Sequence, residues 1–329
     1  MKSTMKKLSV AAMVALFVAA CGGTAASPSG PALTGEITID GSSTVYPITE
    51  AVAEEFQNAN SGVQVTVAFS GTGGGFKKFC AGETDANNAS RPIKSTDKPG
   101  DDGVEGTADD VLSEATLCKN AGVEFIELKV AIDALAVVVS KENTFVDCLT
   151  TDELKSIWDL GSVVETWADV RAGWPAEKID LYGPGADSGT FDYFTEVING
   201  EAKRSRSDYT ASEDDNTLVT GISGSQYALG YFGLAYVEEN ADKVRAVEVD
   251  GGKGCTAPSA DAANDGTYVP LGRPLFIYPS VAALARPEVA AFFRFFLENT
   301  NTLSTEVGYI GLNDADLAAA KATLEAALK

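Results

Sequence analysis

A strand that runs into a cluster of glycines and then starts a helix can be folded in few ways, and this chain has that layout at residues 63 to 80. Val63-Gln64-Val65-Thr66-Val67 alternates with the two-residue period of a half-buried strand. Ser70-Gly71-Thr72-Gly73-Gly74-Gly75-Phe76 follows, and a helix is expected from about Gly75 to Cys80. Such a turn gathers backbone N–H groups with no internal partner at one point, which is how a protein holds an anion without a metal. The same order recurs at Gly41-Ser42-Ser43-Thr44, after Glu36-Ile37-Thr38-Ile39-Asp40, and at Asp187-Ser188-Gly189-Thr190, after Ile179-Asp180-Leu181-Tyr182. One such turn is weak evidence, because most glycine-rich turns only turn. Three pose the question of whether they converge.

Several chemistries are excluded. Gly75 is followed by Phe76, so the lysine of a nucleotide phosphate loop is missing, and there is no G-x-S-x-G elbow. The 329 residues contain no histidine, which rules out Ser-His and Cys-His catalysis, and without a C-x-x-C pair zinc lacks its usual ligands. The expectation is a binding protein rather than an enzyme such as a phosphatase, with no cofactor and no metal site. A formal charge of −22 argues against nucleic acid or an anionic membrane face as partner. An anion site in so acidic a chain must work through oriented N–H groups, hydroxyls and a shielded arginine.

Lys2, Lys6 and Lys7 precede the apolar run Leu8 to Ala20, which is too short to span a bilayer and has the form of a secretory signal. It ends Val18-Ala19-Ala20-Cys21-Gly22, small residues before a cysteine, like the site where bacterial lipoproteins are cut and acylated. Residues 1–20 are therefore expected to be a lipoprotein signal peptide, and 21–35 a lipidated Cys21 with a flexible Ala- and Ser-rich tether. Cleavage removes three lysines and no acid, taking the charge from −22 to −25. Cys80, Cys118, Cys148 and Cys255 remain, an even number in an exported chain, for which three disulfide pairings are possible.

Further along, Val45, Ile48, Val52 and Phe56 recur at helical spacing behind the second turn. In Asn88-Ala89-Ser90-Arg91-Pro92-Ile93, Arg91 is the sole basic residue between Lys78 and Lys94. Residues 98 to 110 are acidic and glycine-rich without an EF-hand spacing, and read as a solvated loop. Ala131 to Val139, Leu229 to Val237 and Arg273 to Tyr278 read as buried strands. Helices are expected at Thr151–Trp158, after Asp187 to Thr190, at Pro287–Leu297 and at Asp314–Leu328. Strands alternating with helices predict an α/β fold whose turns meet at the carboxyl ends of the strands.

Taken together, DGSSTVYPITEAVAEEF (40 to 56), FSGTGGGFKKFCAGETD (69 to 85), NASRPI (88 to 93), AIDALAVVVS (131 to 140), DSGTFDYF (187 to 194), LGYFGLAYV (229 to 237) and PLGRPLFIY (270 to 278) resemble the phosphate-binding lipoproteins that feed Pst-type ABC importers. The resemblance covers nearly all of residues 36 to 312. It implies a two-lobed type II periplasmic-binding-protein fold, each lobe a mixed β-sheet flanked by helices, joined by two crossover strands near Ala131 and Leu271. Lobe I would be 36–131 plus 272–329 and lobe II 132–271. Disulfides within lobes would then be Cys80–Cys118 and Cys148–Cys255. The resemblance further implies phosphate binding by Ser43, Thr44, Ser70, Gly71, Arg91, Asp187, Ser188, Gly189 and Thr190, with Ser90 as a secondary candidate. Another branch of the family carries its arginine just before the DSGT-like turn, where this chain has Pro184, so the charge has changed lobes. Asp187, Asp214 and Asp215 are the candidates for accepting the proton of hydrogen phosphate. The implied partners are inorganic phosphate and ABC permease subunits, for a monomer tethered outside the cytoplasm; the same fold tuned to sulfate, molybdate or a phosphorylated metabolite is the alternative, followed by a non-transport surface protein. If Cys21 carries the lipid, the chain fractionates with membranes and Cys21→Ser releases it; equal partitioning of the two would overturn the anchor.

Overall fold

Strand β4 (Leu128–Ser140) holds the architecture together, because it belongs to two ladders in succession. The computed structural model describes residues 32–100, 107, 111–186 and 188–329. The expected signal segment, Cys21, most of the tether, most of the 98 to 110 loop and Asp187 lie outside the described residues. From Leu33 the chain is one compact unit.

On one side of the molecule, β1 (Gly35–Gly41) runs parallel to β2 (Val63–Val67) and to β3 (Ala86–Ala89). Strand β11 (Gly272–Pro279) pairs antiparallel with β3 and with β4, from Leu128↔Ile277 to Ala134↔Gly272. Beyond Ala134, β4 changes partners and pairs antiparallel with β8 (Ala228–Gly233) and β9 (Val244–Asp250). The second half is completed by β5 (Cys148–Thr150) and β10 (Cys255–Thr256) on β9, and by β6 (Asp180–Gly183) and β7 (Thr210–Ala211) beyond β8. At the change of partners the Leu135 N–H donates to the Leu271 carbonyl at 2.9 Å, so the chain crosses between halves twice at adjacent places.

Each half has its own core. In the first, Ile37, Ile39, Val52, Phe56, Phe292 and Phe296 pack together, with Phe56 and Phe292 edge to face at 5.3 Å between ring centres. In the second, Trp158, Phe194 and Tyr231 form an aromatic stack, Phe194 lying flat on Tyr231 at 3.7 Å. Burying each such ring contributes roughly 1.5–3 kcal/mol. Disulfides join Cys80 to Cys118 and Cys148 to Cys255. Among the described residues no helix is long and apolar enough to cross a membrane.

Three boundaries differ from the sequence expectation. The run at 229 to 237 is strand only to Gly233 and then helix Leu234–Glu239, since an unbroken apolar run has no period to distinguish the two. The helix expected over 287 to 297 continues to Glu306, because Thr300, Leu303 and Ser304 prolong its buried stripe. The glycine-rich helix begins at Thr72, so three glycines lie inside it. Gly71 takes φ +77°, which a glycine adopts without strain. Gly75 answers a different need: a Cβ there would stand 2.0 Å from Asn87 Oδ1 and 2.4 Å from Gly41 Cα. The helix thus rests directly on the end of β1. Gly75→Ala is expected to lower stability by roughly 1–3 kcal/mol or more by overpacking, while Gly73→Ala, whose Cβ would meet nothing closer than 3.6 Å, gains roughly 0.5–1 kcal/mol of helix propensity. Denaturant unfolding of the two variants checks the contrast.

Candidate anion-binding cleft

The turns that follow β1, β2 and β3 lie along one wall of a cavity of about 490 Å3. Ser43 and Thr44 come from the first turn, Gly71 and Thr72 from the second, and Ser90 and Arg91 from the third. The opposite wall is the helix Gly189–Phe194 and the single π-helical turn Thr195–Asn199 that continues it, which present Asp192, Tyr193 and Glu196. Such π turns often mark functional sites. The walls approach closely: a Cβ on Gly189 would lie 3.8 Å from Thr44 Oγ1. The first-turn N–H groups of the helix Thr72–Cys80 have no acceptor within the helix and lie beside the cavity lining.

Two arginines line the cavity, each matched to an acid. Arg91 makes a two-pronged contact with Glu114, Nη1 to Oε2 at 2.8 Å and Nη2 to Oε1 at 2.6 Å. Burial pushes the Glu114 carboxyl up, but the bonds from Arg91 and the Lys94 N–H outweigh it and hold Glu114 below its ordinary range. Arg273, at the start of β11, pairs with Asp133 of β4 at 3.2 Å, donates to Thr44 Oγ1 at 3.1 Å and lies over the Tyr193 ring at 3.4 Å. Burial pushes the Asp133 carboxyl up, and Arg273 pulls against that rise. Asp192 also has its carboxyl raised by burial; its Oδ1 is enclosed with no hydrogen-bond partner among the described residues, the Lys203 ammonium being 3.9 Å away.

Residues 26–300 match the family described as the PBP superfamily domain. The chain belongs to the PBP superfamily. Within it, the phosphate-binding protein PstS of Staphylococcus saprophyticus is 37% identical over 306 residues, which cover 92% of this chain and 88% of that protein. Protein SphX of Synechococcus elongatus is 46% identical over 279 residues, 84% of this chain and 77% of that one. A crystal structure of a possible phosphate binding protein from Planctomyces limnophilus superposes with a TM-score of 0.83 at 49% identity, covering 90% of this chain and all of the other. The fold is accordingly that of the type II periplasmic binding proteins, and the chain is a homologue of the Pst-type receptors.

In this PBP-superfamily chain the sequence-derived residues divide. Ser43, Thr44, Gly71, Ser90 and Arg91 line the cavity, and Gly189 abuts it through Thr44. Ser188 and Thr190 are tied to each other, the Ser188 hydroxyl accepting from the Thr190 N–H at 3.2 Å, and are not in the lining. The Ser70 hydroxyl donates to Asp40 Oδ1 at 2.8 Å, helping with Lys78 to hold a buried carboxylate below the first turn. Asp214 caps the helix Asp215–Ser223 by accepting from the Asn216 N–H at 2.9 Å, outside the lining. Asp187 lies outside the described residues. Sequence reasoning missed Thr72, Asp192, Glu196 and Arg273. For Arg273 one signal was present, a single charge within the apolar stretch PLGRPLFIY. For Asp192 it was an acid three positions after Gly189, on the first turn of the helix that faces the cleft.

Burial, with Asp214 and Glu213 adding to it, pushes the Asp215 carboxyl up to about 6. The native state then keeps a proton that the unfolded chain, titrating near the ordinary value of 3.8, gives up. Stability is therefore lost as pH rises from about 4 through 6, and stays lower above that. Asp215→Asn should raise the thermal midpoint at pH 8 by about 2–4 °C and much less at pH 4. Equal shifts at both values in a melting experiment would contradict this.

Proposed function

We propose that this chain captures inorganic phosphate between a lobe of residues 36–131 plus 272–329 and a lobe of residues 132–271, and delivers it to the permease of an ABC importer while tethered through Cys21 outside the cytoplasm. The observation that carries the reading is the convergence of hydroxyls and helix-start N–H groups from three separate turns on one cavity that also holds two arginines, in a chain of net charge −22. The homology to PstS supports the choice of phosphate.

The energetics are consistent with it. Hydrogen bonds to a charged oxygen contribute roughly 1.5–3 kcal/mol each. Surface acids beyond the Debye length of about 8 Å at physiological salt are largely screened, so near donors outweigh the distant net charge. Asp192 is an acid offered to the ligand, in place of Asp214 or Asp215, which do not line the cavity. Its carboxyl lines the cavity, and a hydrogen phosphate O–H can donate to a carboxylate where sulfate brings only another negative oxygen. Rejection built on an unmatched buried polar pair can reach about 10⁴ to 10⁵. Calorimetry at neutral pH should give tight binding of phosphate and none of sulfate, with Asp192→Asn narrowing the gap between them. Absence of any heat with phosphate would remove the reading.

A further inference from the structure

Arg273 is held in one pose from several sides. Its Nε donates to Asp133 Oδ2 at 3.2 Å, its Nη2 donates to Thr44 Oγ1 at 3.1 Å, and its flat face rests on Tyr193. Tyr193 is itself pinned, its hydroxyl donating to the Pro270 carbonyl at 2.6 Å. A guanidinium has five N–H donors. Among the described residues no acceptor meets Nη1, so one prong of the fork is unspent in a residue that lines the cavity and is only 15% exposed. Thr44 is left in a matching state. Its oxygen accepts from Arg273, which frees its O–H to donate onward.

Arg91 is held by a single acid and is more exposed. Its Nη1 and Nη2 both face Glu114, Nη1 also reaches the Pro92 carbonyl at 3.1 Å, and the side chain is 31% exposed. Three of its five donors are spent within its own half of the molecule, with only Nε–H and one Nη2 N–H left over.

Given the oxyanion reading above, on which this rests, we propose that Arg273 is the arginine that binds the ligand, through Nη1 beside the Thr44 hydroxyl, and that Asp133 and Tyr193 are positioning residues that aim it. Arg91 acts at the edge of the cleft. Because Thr44 follows β1 in the first half, Tyr193 belongs to the second and Arg273 begins the crossing strand, one side chain makes the bound anion felt by both halves. Lysine cannot replace it, since a point charge on a flexible stem neither forks nor stacks.

The test is calorimetry of the full-length chain with inorganic phosphate, sulfate and molybdate, beside ligand-free thermal melts. Arg273→Lys should weaken phosphate binding about 100-fold, against about tenfold or less for Arg91→Lys. Tyr193→Phe should bind within about threefold of the wild type and Tyr193→Leu about tenfold more weakly, because only the ring is needed. A purely structural role for Tyr193 would lower the melting midpoint of the leucine variant without changing the affinity of its folded fraction. Should Arg273→Lys fail to fold, the Tyr193 pair, which leaves the Arg273–Asp133 contact in place, decides the matter. The proposal is overturned by Arg273→Lys binding like the wild type, by Arg91→Lys showing the larger loss, or by equal affinities for the two Tyr193 variants. If the wild type ignores phosphate but binds sulfate or molybdate, the phosphate reading falls and the same variants judge Arg273 with that anion; if it binds none of the three, both fall.

Discussion

The two halves share strand β4, which pairs with β11 in one and with β8 and β9 in the other. β4 is buried at all but one of its thirteen positions, and its last six residues leave β11 to pair with β8 and β9. Into this apolar strand the chain places one acid, Asp133, just before the change of partners. A buried carboxylate costs several kcal/mol unless it is paired and hydrogen-bonded, and removing one member of such a pair typically costs about 3–5 kcal/mol. Arg273 is that partner, two residues past the second crossing at Leu271. The need to neutralise Asp133 therefore places a cation at the junction of the halves, and Thr44 and Tyr193 turn it toward the cleft.

The same logic bears on the anion site proposed for so acidic a protein. Each cleft arginine is balanced by a carboxylate behind it, Glu114 for Arg91 and Asp133 for Arg273, so the arginines contribute oriented donors more than bare charge. Asp192 and Glu196 stand on the facing wall. A cavity with acids on one side and donors on the other favours a ligand that is itself two-sided, accepting on most of its oxygens and donating from one. Such balance would let an anion be held inside a net charge of −22, because surface acids beyond the Debye length of about 8 Å are largely screened.

The glycine-rich turn shows how a correct local reading leaves the task of each residue open. Strand, turn and helix stand where the alternation at 63 to 67 and the glycines place them, and Gly71 and Thr72 line the cavity. Yet Gly75 is there to let the helix touch Gly41, and the Ser70 hydroxyl is turned to Asp40. Neither partner is near in sequence, so spacing carries no sign of them. Arg91 and Arg273 show the same limit, since a side chain's partner depends on which distant strand the fold brings alongside.

The sequence by itself determined the class of fold, two of the turns that begin the cleft, at 41 to 44 and 70 to 76, and the chemistries excluded by the absence of histidine and of a phosphate-loop lysine, because these depend on local periodicity and on composition. Only the tertiary structure decided which hydroxyls face the cavity, that Asp192 and Arg273 do so, and that Asp214 and Asp215 do not. Those outcomes rest on contacts between residues far apart in the chain, such as Asp133 with Arg273 and Gly189 against Thr44, which exist only once β4 and β11 have paired and the two halves meet.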